Sequence, residues 1–268
     1  MKKLIFIQIG ILAGTLLVSV GVAQAQTPES SHAEVQALIQ KADDGLQTIT
    51  EAHCREAIHA YEAALKSDPK NYEANWKASR AYCLILDLKT AGLIEEKEEY
   101  KPLLKELGEK AEGYAEKAYT VNPKGLDGLV WYNSSYGYHA ASLGILKAIL
   151  KGAGGKLKKL AHELIEVNDT ASDALGYRML GRFYMNAPFP VGSKTKAARY
   201  FEKAVQKAPG SLFNHYWLGE IYLEKKQFEQ AKKEFQFVLD HPANPDEKHF
   251  SKPTQEAARK RLRELASK

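Results

Sequence analysis

The stretch that decides the fold is Leu212–Pro242, LFNHYWLGEIYLEKKQFEQAKKEFQFVLDHP. Its first half carries the pair Leu218-Gly219, followed three residues later by Tyr222. Its second half sets Ala231, Phe235 and Val238 at i, i+4 and i+7, and Pro242 follows. Such spacing places residues on one face of a helix. Glycine inside a helix costs roughly 1 kcal/mol relative to alanine, so a glycine held in phase with the inner face argues for a neighbouring helix that passes close by. The stretch therefore predicts two antiparallel helices whose shared face is built from small and aromatic side chains.

Working outward, the second half recurs as Ala-x3-aromatic-x2-Ala-x4-Pro. Ala57, Tyr61, Ala64 and Pro69 keep it in full, as do Ala197, Phe201, Ala204 and Pro209; Ala111, Ala115, Ala118 and Pro123 keep the spacing with alanine in the aromatic slot. The first half recurs as Leu180-Gly181 with Tyr184, and more loosely as Ala78-Ser79 with Tyr82 and Tyr132-Asn133 with Tyr136. Together the two patterns make a unit of about 34 residues, a repeat period in which each unit buries its face only against its neighbours.

On these residues the chain resembles the tetratricopeptide repeat superfamily over about residues 50–245, strongly in Leu212–Pro242 and weakly in Leu129–Asp169. The resemblance implies an all-α, right-handed superhelical solenoid of antiparallel helix pairs. Within that superfamily, several features in order look like one subgroup: Asn71–Tyr82, then Trp131-Tyr132, Gly144–Lys147, and a Pro/Gly insertion at Ala187–Gly192. They are similar to the T component associated with TRAP-type transporters and to the regulator of microtubule dynamics family. The former resemblance implies an exported protein with a transporter-accessory role. Its members are usually lipoproteins, whereas this chain has no cysteine near the end of its N-terminal apolar segment.

Five helix pairs are expected: Ala33–Ala42 with Thr48–Lys66; Glu73–Leu86 with Glu95–Thr120 across a loop near Thr90–Leu93; Leu126–Lys151 with Lys156–Glu166 across a break at Gly152–Gly155; Asp173–Met185 with Lys196–Lys207; and Leu212–Lys225 with Phe228–Leu239. Gln255–Ala266, rich in arginine and lysine, is expected to cap the solenoid, whose last outer face must meet water. The domain reading is a signal peptide over 1–25, a linker over 26–31, the repeat domain over 32–245 and a capping region over 246–268.

The N-terminal reading rests on Lys2 and Lys3, the apolar run Leu4–Val22, and the small-x-small motif Ala23-Gln24-Ala25, the layout of a secretory signal cut after Ala25. An uncleaved anchor is the alternative, since about 19 apolar residues can span a bilayer. After cleavage, no integral membrane segment is expected and the compartment is periplasmic or secreted. Cleavage removes two lysines and no acid, taking the formal net charge from +5 to +3. That balance and compartment speak against nucleic acid as a partner.

No enzymatic function and no cofactor are expected. The eight histidines show no metal-ligand spacing: His162-Glu163 lacks the second histidine of H-E-x-x-H, and Gly152–Lys156 lacks the G-x-x-x-x-G-K-[ST] of a phosphate loop. Cys54 and Cys83 would sit at similar heights on antiparallel helices, so a disulfide in an oxidising compartment and two buried free thiols both remain open.

In the superfamily the first helix of each pair lines the concave surface. Its phase, carried onto this sequence, gives Trp76 and Arg80, Ser134 and Tyr138, Arg178 and Arg182, Tyr216 and Glu220 as groove residues. Forked arginine donors and aromatic faces suit an acidic peptide, a chain terminus or an organic acid; the same arginines could equally pair with acids of neighbouring repeats. Trp131 and Tyr132 read as core. Phe189, between two prolines in a lengthened turn, reads as an apolar tip for partner contact or for homo-oligomer formation, or as a plug over a helix end. The functional expectation is an exported scaffold for a protein partner, accessory to a substrate-binding protein or TRAP-type transporter. The alternative is a carrier holding an organic acid or apolar molecule in the groove.

Overall fold

The computed structural model describes residues 28–144 and 152–267. The expected signal segment and most of Gly144–Lys147 lie outside the described residues, as does the end of the helix expected to run to Lys151. Among the described residues there are eleven α-helices and no strand. They are α1 (Pro28–Gly45), α2 (Glu51–Ser67), α3 (Tyr72–Thr90), α4 (Lys101–Val121), α5 (Leu126–Leu143), α6 (Ala153–Val167), α7 (Ala171–Asn186), α8 (Lys194–Lys207), α9 (Leu212–Glu224), α10 (Phe228–Asp240) and α11 (Ser251–Ala266). Each packs on its sequence neighbours, and α3 also packs on α5 and α5 on α7, giving five helical hairpins stacked side by side with α11 at the end.

The repeat is physical as well as textual. Ala57, Tyr61 and Ala64 are buried, as are Ala111, Ala115 and Ala118; Ala197, Phe201 and Ala204; and Ala231, Phe235 and Val238. The glycines do what their phase implies. A Cβ on Gly219 would sit 2.6 Å from Cε1 of Phe235, and one on Gly181 would sit 2.8 Å from the Phe201 ring. The aromatic slot of the second helix thus fills the space that the glycine of the first leaves open.

Successive hairpins are joined by one type of turn. The amides of Asp68, Asn122, Asn168 and Ala208 donate to carbonyls four residues back, and those same residues' carbonyls accept from Asn71, Gly125, Ala171 and Ser211. Pro69, Pro123 and Pro209 follow three of these caps, where their fixed φ suits the turn. Asp169 takes that place in the third, which is why the pattern fades in Leu129–Asp169. Asn71 and Ser211 then cap α3 and α9, accepting from the amides of Ala74 and Asn214.

Four boundaries differ from expectation, one being α11, which begins at Ser251 where Gln255 was expected. α1 begins at Pro28, inside the stretch read as linker. α4 begins at Lys101, with Pro102 in its first turn, so residues 91–100 form a strap where a helix from Glu95 was expected. Gly154 and Gly155 lie within the first turn of α6, not in a gap between helices; a Cβ on Gly154 would be 2.7 Å from the Phe183 ring, so close packing explains that glycine.

The strap crosses the concave side. It turns through left-handed backbone at Ala91, Gly92 and Leu93 (φ 51°, 64° and 60°). Leu93 then joins the apolar core of the first hairpins, while Ile94 joins that of the last, beside Leu212 and Phe213. A second segment, around the 3-10 turn Pro245–Glu247, comes in from the other end. The Glu247 carboxylate caps α9, accepting from the Ser211 hydroxyl and, at 2.8 Å, from the Leu212 amide. Arg261 of α11 clasps Glu220 of α9 through two donors at 2.6 and 2.8 Å, fixing the cap across the last hairpin.

Candidate functional site

Between the first helices of the hairpins and the two crossing segments lies a cavity of about 580 Å³. Six of the eight groove residues named from the sequence line it: Trp76 and Arg80 from α3, Ser134 and Tyr138 from α5, Arg178 and Arg182 from α7. They converge because the groove-facing positions of successive first helices stack side by side. Tyr216 and Glu220 do not reach it. Both are buried, Tyr216 among the aromatics of the last hairpins and Glu220 beneath Arg261; the cap covers the groove phase of α9, a consequence of ending the solenoid.

The arginines differ in what they already hold. Arg178, buried, donates to the Asp173 carbonyl at 3.0 Å and to Asn214 Oδ1 at 2.9 Å, and its guanidinium lies over the Phe213 ring. The Asp173 carbonyl also takes the Asn214 amide group at 2.8 Å; it sits in a left-handed run over Ser172, Asp173 and Ala174. Backbone of this kind persists where surrounding bonds over-determine it. Arg182 reaches the strap, donating to the Leu93 carbonyl at 3.3 Å and to Glu96 at 3.2 Å, with its guanidinium 4.4 Å from the centre of the Trp217 ring. Burial pulls both guanidinium pKa values below the ordinary arginine range; Glu247 and Asp173 beside Arg178, and Glu96 beside Arg182, oppose it. Arg80 has no carboxylate or carbonyl partner among the described residues and lies over Trp131, 5.9 Å from the ring centre.

Of the acids that line the cavity, three besides Glu96 are occupied in turn, while Asp127 is exposed. Asp87 accepts from the Tyr138 hydroxyl and lies 3.4 Å from His249 Nε2. Burial first, and Asp87 second, push the Tyr138 phenol well above its usual pKa. Asp173 accepts from the Asn244 amide group at 2.8 Å. Burial raises the Glu247 pKa, the Ser211 hydrogen bond and Arg178 pulling the other way.

Leu84, Val130, Leu157, Met179 and Phe183 supply an apolar wall. Trp131, read as core from the sequence, also lines the cavity, whereas Tyr132 is buried in the hairpin. The strap residues Leu93 and Glu96, and the late residues Glu247 and His249, carry no mark in the sequence reading. The first pair could have been sought in the unusual length of the α3–α4 connection; nothing local marks the second.

Phe189 is 93% exposed, so it stands out from the surface and does not plug a helix end. Cys54 and Cys83 are both free and fully buried. The bridge left open by their spacing is not formed. Burial pushes the Cys54 thiol up to about 11 and the Cys83 thiol well above its usual value. Among the described residues no group of three or more His, Cys, Asp or Glu side chains could hold a metal ion, and no helix is long and apolar enough to cross a membrane.

Comparison with solved structures returns tetratricopeptide repeat proteins. TTC0263 of Thermus thermophilus, a thermophilic TPR protein, is 17% identical with a TM-score of 0.58, covering 87% of this chain and 100% of that one. The pilF protein of Pseudomonas aeruginosa is 14% identical (TM-score 0.52; 88% and 90% covered), and MamA is 19% identical (TM-score 0.51; 78% and 92%). These likenesses establish the fold. No curated protein matches the sequence. A tetratricopeptide repeat model matches residues 214–239, within the stretch that first suggested the hairpin. A second model, described as regulator of microtubule dynamics protein 1-3, matches residues 38–188, which supply α2 to α7 and most of the cavity wall. With more than half of its length matched, this tetratricopeptide-type solenoid belongs to the regulator of microtubule dynamics protein 1-3 family.

Proposed function

We propose that the protein is a non-enzymatic binding module whose recognition site is the concave cavity, and that it takes a compact ligand there. One observation carries this reading: the strap over 91–100 and the segment around Glu247 cross the concave side, leaving a cavity of about 580 Å³ where an extended peptide would need an open groove. That volume falls in the range of small-molecule sites, about 300–1,000 Å³, which combine apolar walls with a few placed polar groups. The test is a thermal-shift screen of the purified protein against a metabolite library. A hit should raise the melting temperature of the native chain and leave that of Ser134→Trp, which fills the cavity, unchanged. Hits that shift both proteins alike would refute the reading.

The exposed Phe189 favours a second reading, in which the solenoid is also a scaffold for a protein partner. Single exposed apolar residues are common, but a bulky ring at a loop tip is a contact anchor when a partner offers a pocket. With the N-terminal segment as an export signal, that partner would be a periplasmic substrate-binding protein or a TRAP-type transporter. Crosslinking and pull-down from the native periplasm test this; unchanged capture and unchanged oligomeric state with Phe189→Ala would remove Phe189 from the contact. N-terminal sequencing of the exported protein should begin at Gln26.

A further inference from the structure

Of the three arginines that line the cavity, two are already used by the fold. Arg178 and Arg182 spend their donors on carbonyls, Asn214 and Glu96, and so hold the left-handed turn at Asp173 and the strap in place. Arg80 alone has no hydrogen-bond or ion-pair partner among the described residues; the Trp131 ring lies against it. A guanidinium offers five donors in a fixed fork matched to a carboxylate. Of the five acids that line the cavity, Asp87, Glu96, Asp173 and Glu247 each accept from another side chain or amide, and Asp127, exposed in the first turn of α5, is not paired with Arg80.

Resting on the reading of the cavity as the recognition site, we propose that Arg80 anchors the carboxylate of a small amphipathic monocarboxylic acid whose apolar body lies along Trp131, Leu84, Val130 and Met179. Charge and surface select this class. One cation without an ion-pair partner among the described residues matches one negative charge, and the five carboxylates around the same cavity, Asp87, Glu96, Asp127, Asp173 and Glu247, penalise a second. An inorganic anion would leave the apolar wall wet, whereas an uncharged apolar molecule would leave Arg80 without an acceptor. Trp76 and Trp131 both line the cavity, so occupancy should be visible in their fluorescence.

The test titrates the purified protein with octanoate and with octan-1-ol, which shares the chain and lacks the charge, following tryptophan fluorescence and calorimetry. Octanoate should bind saturably and at least about tenfold more tightly than the alcohol, the discrimination expected of a charged hydrogen bond in a desolvated site. Arg80→Gln should bring the two ligands to within about twofold, and Arg80→Lys should keep part of the preference. Equal binding of acid and alcohol by the native chain, or no binding of either, overturns the proposal without recourse to a variant. So does undiminished octanoate affinity in a folded Arg80→Gln. If Ser134→Trp abolishes binding in that case, the cavity remains the site and only the anchor is wrong. If Ser134→Trp binds octanoate like the native chain, the cavity reading fails with it.

Discussion

Gly219 and Phe235 face each other so closely that a Cβ on the glycine would lie 2.6 Å from the aromatic ring. The ring is fully buried and cannot swing away, so the glycine is fixed by the approach of α9 to α10. Gly219→Ala should therefore destabilise the protein by about 1–3 kcal/mol, the usual cost of overpacking, although alanine is the better helix former. Gly113 is exposed in α4, and a Cβ there would meet nothing within 4 Å. It should behave oppositely: Gly113→Ala should stabilise by roughly 0.5–1 kcal/mol. Urea denaturation of the two variants checks the pair, and equal signs would contradict the packing argument.

The two cysteines should be inert in the native state. A thiol reacts as its thiolate, and burial raises the Cys54 pKa to about 11 and the Cys83 pKa well above its ordinary value. A thiol reagent at pH 8 should label neither in native protein and both in denaturant. Intact mass should not change on reduction; a gain of two protons would show a bridge.

Glu247 gives a pH dependence of defined sign. Its folded-state pKa is raised, chiefly by burial, so between the unfolded value and the folded one the native state holds the proton more firmly. Stability from this group is therefore fully present below the unfolded pKa and is lost as pH rises through the folded pKa. Compared with Glu247→Gln, the native chain should lose stability as pH climbs above the ordinary carboxylate range, and the difference should then level off. Parallel melting curves of the two proteins across pH 4 to 8 measure it, and a difference that grows in favour of glutamate would reverse the assignment.

Arg182 holds the strap through the Leu93 carbonyl and Glu96. Arg182→Ala leaves that carbonyl and carboxylate without their donor, at a cost of about 1–3 kcal/mol, and should loosen residues 91–96 before the hairpins. Amide hydrogen exchange should rise in the strap while α9 and α10 keep their protection; uniform loss of protection would mean that Arg182 supports the whole fold.

How far the sequence can be read follows from range. Gly219, Gly181, Tyr61, Phe201 and Phe235 speak within one hairpin, where partners are less than one repeat apart in the chain and a fixed helical period fixes who meets whom. The prolines of the turns are legible for the same reason. Trp131 reads as core and does pack against the core of the first hairpins, but its second face, on the cavity wall, is not legible, because an aromatic on a helix looks alike whichever of the two it faces. Tyr216 and Glu220 fall in the groove by a phase that is correct for a first helix but takes no account of a cap lying over it.

The sequence by itself determined the helical hairpins, their number, their order and the face each turns to its neighbour, because these depend on local spacing and on contacts repeated from one unit to the next. The tertiary structure alone decided that the concave side is narrowed to a cavity, and which arginine inside it has no ion-pair partner among the described residues. Those outcomes hang on Arg182 with Leu93, His249 with Asp87, and Arg261 with Glu220, pairs that are remote in the chain. No periodic signal encodes such contacts; they exist only once the hairpins have stacked and brought the strap and the C-terminal segment across the groove.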